Sequence, residues 1–233
     1  MNKVLVTGGM GFIGSHTVVE LLTSGQEVVI ADNLFNSKIE TLDKIETITG
    51  TRPEFVEIDL VDKQKVKELF NTYKFSSVIH FASYKAVGES TQKPIAYYSN
   101  NINSALNVID EMIQHNVKKF IFSSSATVYG DPVELPLMED TQVGIGITNP
   151  YGWTKLMCEQ ILRDVCAADE SVILLRYFNP VGSHESGIIG ENPSGIPNNL
   201  MPFVMQTAHG IHKEVRVFGN DYDTPDGTGV RDY

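Results

Sequence analysis

Six short apolar runs constrain the fold more than any other feature of this chain. "KVLVT" (3–7), "EVVIAD" (27–32), "FVEID" (55–59), "SVIHFAS" (77–83), "KKFIFSSS" (118–125) and "SVILLRYFN" (171–179) are rich in Val, Ile and Phe. They are continuous rather than alternating, the pattern of strands covered on both faces. Between them lie stretches with apolar residues at helical spacing. Ile13, Thr17, Val18, Leu21 and Leu22 form one expected buried stripe, and Ile102, Leu106, Ile109 and Ile113 another. Buried strands alternating with helices imply an α/β chain with a doubly wound parallel sheet and right-handed crossovers.

The pattern changes after Phe178. "NPVGSHESGIIGENPSGIPNNLMP" is dense in Gly, Pro, Asn and Ser, which favour turns. A short helix ("MPFVMQTAHG") and a strand ("EVRVFG") are expected next, followed by the loop "NDYDTPDGTGVRDY". The reading is a Rossmann-type domain over 1–178 and a smaller C-terminal substrate lobe over 179–233, expected to be incomplete because the sequence stops inside a Gly-rich loop. The net charge of −11 argues against a nucleic-acid binder or a polybasic membrane module. No apolar run approaches the ~18 residues of a membrane span. The opening "MNKVLVTGG" has no signal-peptide pattern. Cys158 and Cys166 match no metal or redox spacing and read as reduced packing residues, and the six histidines show no metal-ligand spacing. The expectation is a cytoplasmic protein without a metal. His80, inside a strand, reads as a satisfied core residue.

Three motifs carry chemistry. "VTGGMGFIGSH" places Gly8, Gly11 and Gly14 between a strand and a helix. Glycine there permits a tight turn, close approach to a pyrophosphate and close helix–sheet packing, while the helix N-terminus offers N–H groups to phosphate. Asp32 ends the second strand about 20 residues on, where a ribose-binding acid belongs. An acid there repels a 2′-phosphate, so the expected dinucleotide is NAD rather than NADP. Asp59 reads either as a second acid on the ligand edge or as a helix N-cap. Phe81, Ala82 and Lys85 follow the fourth strand on that same edge. Finally, the serines of "FSSSATVYG" close the fifth strand, and "NPYGWTK" puts Pro150 in a helix's first turn with Tyr151 and Lys155 on one face.

The Gly-x-x-Gly-x-x-Gly turn, the serine after the fifth strand and Tyr-x-x-x-Lys together resemble the extended short-chain dehydrogenase/reductase superfamily. "SSSATVYG", "KAVGES", "LRYFNPVG", "GIPNNLMP" and "GTGVRDY" narrow the resemblance to the UDP-glucose 4-epimerase family, over the length from Lys3 to Tyr233. That resemblance implies a homodimer with tightly bound NAD that interconverts UDP-glucose and UDP-galactose through a 4-keto sugar. It also implies a C-terminal portion, roughly a third of a full-length enzyme, beyond these residues. Tyr151, Lys155 and Ser125 are the implied catalytic group. Phe12, Ile13, Asn33, Asn36 and Ser37 join the glycines and Asp32 on the cofactor, as do Asp59, Leu60, Phe81, Ala82, Lys85, Asn100 and Phe178. On the UDP-sugar, Ser125 and Tyr151 are joined by Asn179, Asn199, Leu200 and Phe218, with Arg231 on the diphosphate. A guanidinium fork suits that last role.

Near neutral pH only about one tyrosine in a thousand is ionised. The expectation is that the Lys155 ammonium and a cationic nicotinamide favour the Tyr151 phenolate. Related 4,6-dehydratases carry acids where this chain has Ala126 and Thr127, which favours epimerisation. A dehydratase, a 4-keto reductase and a truncated, non-catalytic NAD-binding protein remain as alternatives.

Overall fold

The computed structural model describes residues 3–165, 171–193, 196–197 and 199–233, so Cys166 lies outside the described residues. Strands β1 (Lys3–Thr7), β2 (Val28–Asp32) and β3 (Glu54–Glu57) alternate with α1 (Phe12–Thr23), α2 (Thr41–Thr49) and α3 (Lys63–Thr72). Then follow β4 (Phe75–His80), α4 (Val87–Gln92), α5 (Pro94–Gln114) and β5 (Lys119–Ser125). A short 3-10 helix (Ala126–Tyr129), α6 (Pro150–Val165), β6 (Ser171–Tyr177) and α7 (Leu200–Ala208) complete the described elements. Six strands form one parallel sheet in the order β3-β2-β1-β4-β5-β6. The order reverses beside β1, and such a switch point leaves a crevice at the strands' C-terminal ends.

Helices cover both faces of the sheet. On one face Leu5, Val29, Val78 and Phe120 pack with Val108, Met112 and Leu162; on the other Val4, Val6, Ile30 and Ile79 pack with Val18, Val19 and Ile45. Burying a side chain of this size stabilises by roughly 1.5–3 kcal/mol. The two layers therefore fix the sheet edge on which the site is built.

Three local expectations are corrected. In α1 Val18 is buried and Leu21 and Leu22 pack against the core, as expected, but the inward face continues through Gly14, Ser15 and Val19 rather than through Ile13 and Thr17. Gly14 has to face the Gly8–Gly9 backbone, and that requirement sets the helix's rotation. In α5 the buried stripe runs through Asn101, Ala105, Val108, Ile109 and Met112, while Leu106 and Ile113 point outward. Counting apolar residues alone rotated this helix, because its inward face carries an asparagine and a serine. The strand expected at "EVRVFG" does not form: residues 214–219 lie outside the helices and strands, with Val217 and Phe218 exposed. A strand needs a neighbouring ladder, and the six-stranded sheet does not take in this segment. The helix expected next to it is present as α7.

Candidate active site

The turn between β1 and α1 is built by close backbone approach. Gly8 has a left-handed φ of +68°, and a Cβ there would sit 2.7 Å from the Ala82 nitrogen. A Cβ on Gly14 would sit 2.2 Å from the Gly8 carbonyl oxygen. Gly11 is the N-cap of α1 with no side-chain cap bond, and the first turn of the helix carries no acid. Its N-terminal positive end is thus left facing the cleft.

Asp32, buried at the end of β2, ties this turn to the next loop. Its carboxylate accepts from the Met10 N–H at 3.1 Å, the Leu34 N–H at 2.9 Å and the Ser37 hydroxyl at 3.0 Å. A carboxylate offers about four acceptor positions, so one remains for a ribose hydroxyl. Asp59 is not a helix cap. Asp62 caps α3, accepting from the Gln64 and Lys65 N–H groups, while Asp59 bonds the Val61 N–H and lines the cleft.

Tyr151 and Lys155 come to the same cleft from the first turns of α6. Pro150 occupies the first helical position, and Asn149 caps the helix by accepting from the Gly152 N–H at 2.8 Å. Ser125, the last residue of β5, hydrogen-bonds the Tyr151 hydroxyl and accepts from the Thr127 hydroxyl at 3.0 Å. Lys155 is 3% exposed and donates to the Ser83 hydroxyl at 2.9 Å and the Ser123 carbonyl at 2.7 Å. Its nitrogen lies 5.7 Å from the centre of the Tyr151 ring.

The expected effect of Lys155 on Tyr151 is not seen in the protein alone. Burial raises the tyrosine's pKa, with the Ser125 hydrogen bond acting against it. Burial also pulls Lys155 down to about 8. Both charged forms lose solvation in this pocket, and the ammonium is spent on Ser83 and Ser123 instead of on the phenol oxygen. His80 behaves as expected: it is buried, bonded to Thr7 at 2.9 Å and stacked near Phe120 and Phe122, with its pKa lowered to about 3 by burial and by Lys155.

One cleft of about 680 Å³ joins these parts, lined by the glycine turn, Asp32, Asp59, Lys85, Asn100, Ser125, Tyr151 and Lys155. The remaining cofactor candidates Phe12, Ile13, Asn33, Asn36, Ser37, Leu60, Phe81, Ala82 and Phe178 also line it. Of the substrate candidates, Asn179 and Asn199 line the cleft. Leu200 opens α7 and is half exposed, and Phe218 and Arg231 are exposed in the last stretch of chain. The Asn179 amide donates to the Asp232 carbonyl at 2.7 Å, which brings the residue after Arg231 beside the cleft wall.

Several residues of this site escaped the sequence reading. Asn101 is buried and holds Tyr84 through both backbone groups, at 2.8 and 3.0 Å, and Thr154 of α6 at 3.0 Å. Its spacing to Ala105, Val108 and Met112 was the available signal. Glu191 accepts from Lys85 at 3.3 Å and from Asn199 at 2.6 Å, joining a cofactor candidate to a substrate candidate. Glu159, fully buried one turn beyond Lys155, accepts from Ser124, Arg163 and Arg176. Burial opposes its ionisation, but the Arg176 and Ser124 hydrogen bonds prevail and hold its pKa below the usual carboxylate range.

A glycine turn at the switch point of a doubly wound sheet, an acid ending β2, and a Ser–Tyr–Lys group over the same cleft define a dinucleotide-dependent enzyme of the short-chain dehydrogenase/reductase kind. The chain belongs to the NAD dependent epimerase/dehydratase family, whose model matches residues 4–233, and within it to the UDP-glucose 4-epimerases. It is 57% identical to UDP-glucose 4-epimerase of Haemophilus influenzae over 232 residues, covering 99% of this chain and 68% of that protein. The Bacillus subtilis UDP-glucose 4-epimerase is 56% identical, with the same two coverages. Among solved structures, UDP-glucose 4-epimerase of Bifidobacterium longum in complex with NAD+ and UDP superposes with a TM-score of 0.95 at 56% identity, covering 100% of this chain and 70% of that one.

Proposed function

We propose that this chain interconverts UDP-glucose and UDP-galactose by NAD-dependent epimerisation at the sugar C4. The observation that carries the reading is the convergence of Tyr151, Ser125 and Lys155 on the cleft that holds the glycine turn and Asp32. The residues fit NAD. Side chains at Gly8 and Gly14 would fill the space where the turn approaches its neighbours, α1 presents an uncapped N-terminus, and Asp32 retains an acceptor for an unphosphorylated ribose.

NAD, when bound, supplies the acceptor and donor of the hydride at C4. The protein's part is to manage one proton. Tyr151 takes it from the sugar O4 and returns it, while Ser125 holds both the Tyr151 hydroxyl and O4. Lys155, anchored by Ser83 and Ser123, keeps a positive charge beside the phenol ring. A cationic nicotinamide, when bound, would add positive charge that favours the Tyr151 phenolate. The 4-keto sugar then turns over and is reduced on its other face, so the nucleotide has to be held more firmly than the hexose. Asn179, Asn199, Leu200, Phe218 and Arg231 are assigned to the UDP-sugar.

Ala126 and Thr127 support epimerisation over dehydration. They form the 3-10 turn after Ser125, and neither side chain can act as the second acid that elimination of water requires. The chain is further assigned to the cytoplasm as a homodimer. The buried free thiol of Cys158 suits a reducing compartment. Exposed Leu106 and Ile113 on α5 and Met157 and Val165 on α6 offer an apolar face for a second copy.

Incubation with UDP-galactose and no added cofactor tests the reading. UDP-glucose should appear, with dinucleotide absorbance carried by the purified chain. Formation of a dehydrated keto sugar, or a strict need for added NADH or NADPH, would overturn it.

A further inference from the structure

Phe35 is a large aromatic residue left 65% exposed at the rim of the cleft. A solitary exposed phenylalanine would call for no explanation, but this one is neither solitary nor passively placed. Its ring centre lies 4.8 Å from that of Tyr84, tilted by 37°, within the range of a favourable aromatic pair. Phe35 stands in the loop after β2, and Tyr84 in the loop after β4. In the sheet these two strands flank β1, from which the glycine turn emerges. The ring pair therefore bridges the two sides of the crevice above the turn.

Both partners are held for this contact. Leu34 adopts a left-handed φ of 56°, a conformation that is costly for a residue other than glycine. The turn is fixed by Asp32, which accepts from the Leu34 N–H and the Ser37 hydroxyl, and by Asn33, which accepts from the Phe35 N–H at 3.1 Å. Leu34 packs inward against the core as Phe35 is turned outward. On the opposite side, both backbone groups of Tyr84 are bonded to buried Asn101. Its ring meets the buried Tyr97 ring edge-on at 5.5 Å. Tyr84 is a fixed post, and Phe35 is the arm that reaches it.

We propose that Phe35 and Tyr84 form an aromatic clasp across the mouth of the cofactor cleft that retains the dinucleotide between catalytic cycles. This rests on the assignment of the cleft to NAD, and it adds two residues to those expected to contact the cofactor. A dinucleotide regenerated in every cycle need not leave, and a clasp over its diphosphate slows its loss without touching the reacting atoms. Asp32 serves twice: the acid that faces the ribose also folds the turn that carries Phe35, so cofactor recognition and closure share one side chain.

The test is the rate of cofactor release. The full chain is loaded with NADH and chased with excess NAD, and the fall of nucleotide fluorescence is followed. Phe35→Ala and Tyr84→Ala should each release NADH about 5–10-fold faster, and the double variant no faster than the quicker single one. Tyr84→Phe should release it at the parent rate, because the contact uses the ring. Thermal midpoints without dinucleotide should fall by no more than about 2–4 °C for Phe35→Ala. Parent-like release from both alanine variants would overturn the clasp while leaving the proposed function standing. Multiplying effects in the double variant would also overturn it, by showing two separate contacts. A parent chain that takes up no dinucleotide would refute the NAD assignment first, and the clasp with it.

Discussion

Gly14→Ala tests the link between a glycine in the sequence and the cofactor cleft. A Cβ at this position would lie 2.2 Å from the Gly8 oxygen, 2.8 Å from the Gly9 Cα and 3.0 Å from the Gly8 carbonyl carbon. The first distance falls roughly 1.2 Å short of the 3.4 Å at which ordinary contact begins. All three neighbours are backbone, so no side chain can rotate away. Helix α1 has to lift from the turn, drawing Val18 and Val19 from the core they share with Val6 and Ile30. Overpacking of this kind costs about 3 kcal/mol or more, and it moves the helix N-terminus away from the phosphates. Gly88→Ala in α4 is the control. A Cβ there meets nothing within 4 Å, and replacing a helical glycine by alanine should stabilise by ~0.5–1 kcal/mol. Denaturant unfolding of both variants, with bound dinucleotide measured by absorbance after purification, reads the two effects together. Gly14→Ala should lose cofactor as well as stability. An unchanged midpoint with full cofactor occupancy would refute the claim that close helix–turn approach builds the site.

Tyr151→Phe should retain dinucleotide but lose turnover by about 10²–10⁴-fold in a UDP-galactose assay; near-parent activity would remove Tyr151 as the proton carrier. The buried His80 pair predicts acid sensitivity. Its pKa is about 3 folded against 6.5 in the open chain, so below pH 6.5 only the unfolded state takes up the proton. Stability is then fully present above 6.5 and falls on acidification towards about 3, by up to ~1.4 kcal/mol per pH unit from this residue. Comparing denaturant midpoints of parent and His80→Gln between pH 7 and 5 checks it, and equal slopes would dismiss it. Glu159→Ala removes the buried carboxylate that balances the largely covered Arg176 guanidinium and should destabilise by ~3–5 kcal/mol; a loss below 1 kcal/mol in urea unfolding would show the cluster to be solvated.

The sheet and the cofactor turn were legible because their signals are local. A continuous Val/Ile run or a Gly-x-x-Gly-x-x-Gly turn states its own requirement within a few residues. Tyr151 and Lys155 were legible once Pro150 set the first turn of a helix. The parts that escaped are relations between distant segments. Nothing near Asn101 says that it will hold Tyr84 and Thr154, and nothing near Glu191 says that it will meet Lys85. The stripes of α1 and α5 were legible only in part, through Val18, Leu21, Leu22, Ile102 and Ile109, since an inward glycine or asparagine is invisible to a count of apolar residues. The strand expected at 214–219 shows the converse limit: a local β pattern is not a strand until another strand accepts its hydrogen bonds.

The place of β1 in the sheet also governs how the chain can be made. It leaves the ribosome before the other five strands, yet it lies between β2 and β4, and the Thr7–His80 hydrogen bond spans 73 residues. At a synthesis rate of roughly 5–20 residues per second, β1 waits several seconds for its second neighbour. During that interval Val4, Leu5 and Val6, all destined for the core, have one strand to pair with and one edge open. The cofactor turn shares the delay, because Gly8 is fully framed only when Phe81 and Ala82 arrive. The cofactor turn is therefore framed only when the strand that closes the middle of the sheet has been made, and the Ser125, Tyr151 and Lys155 side of the cleft follows later still.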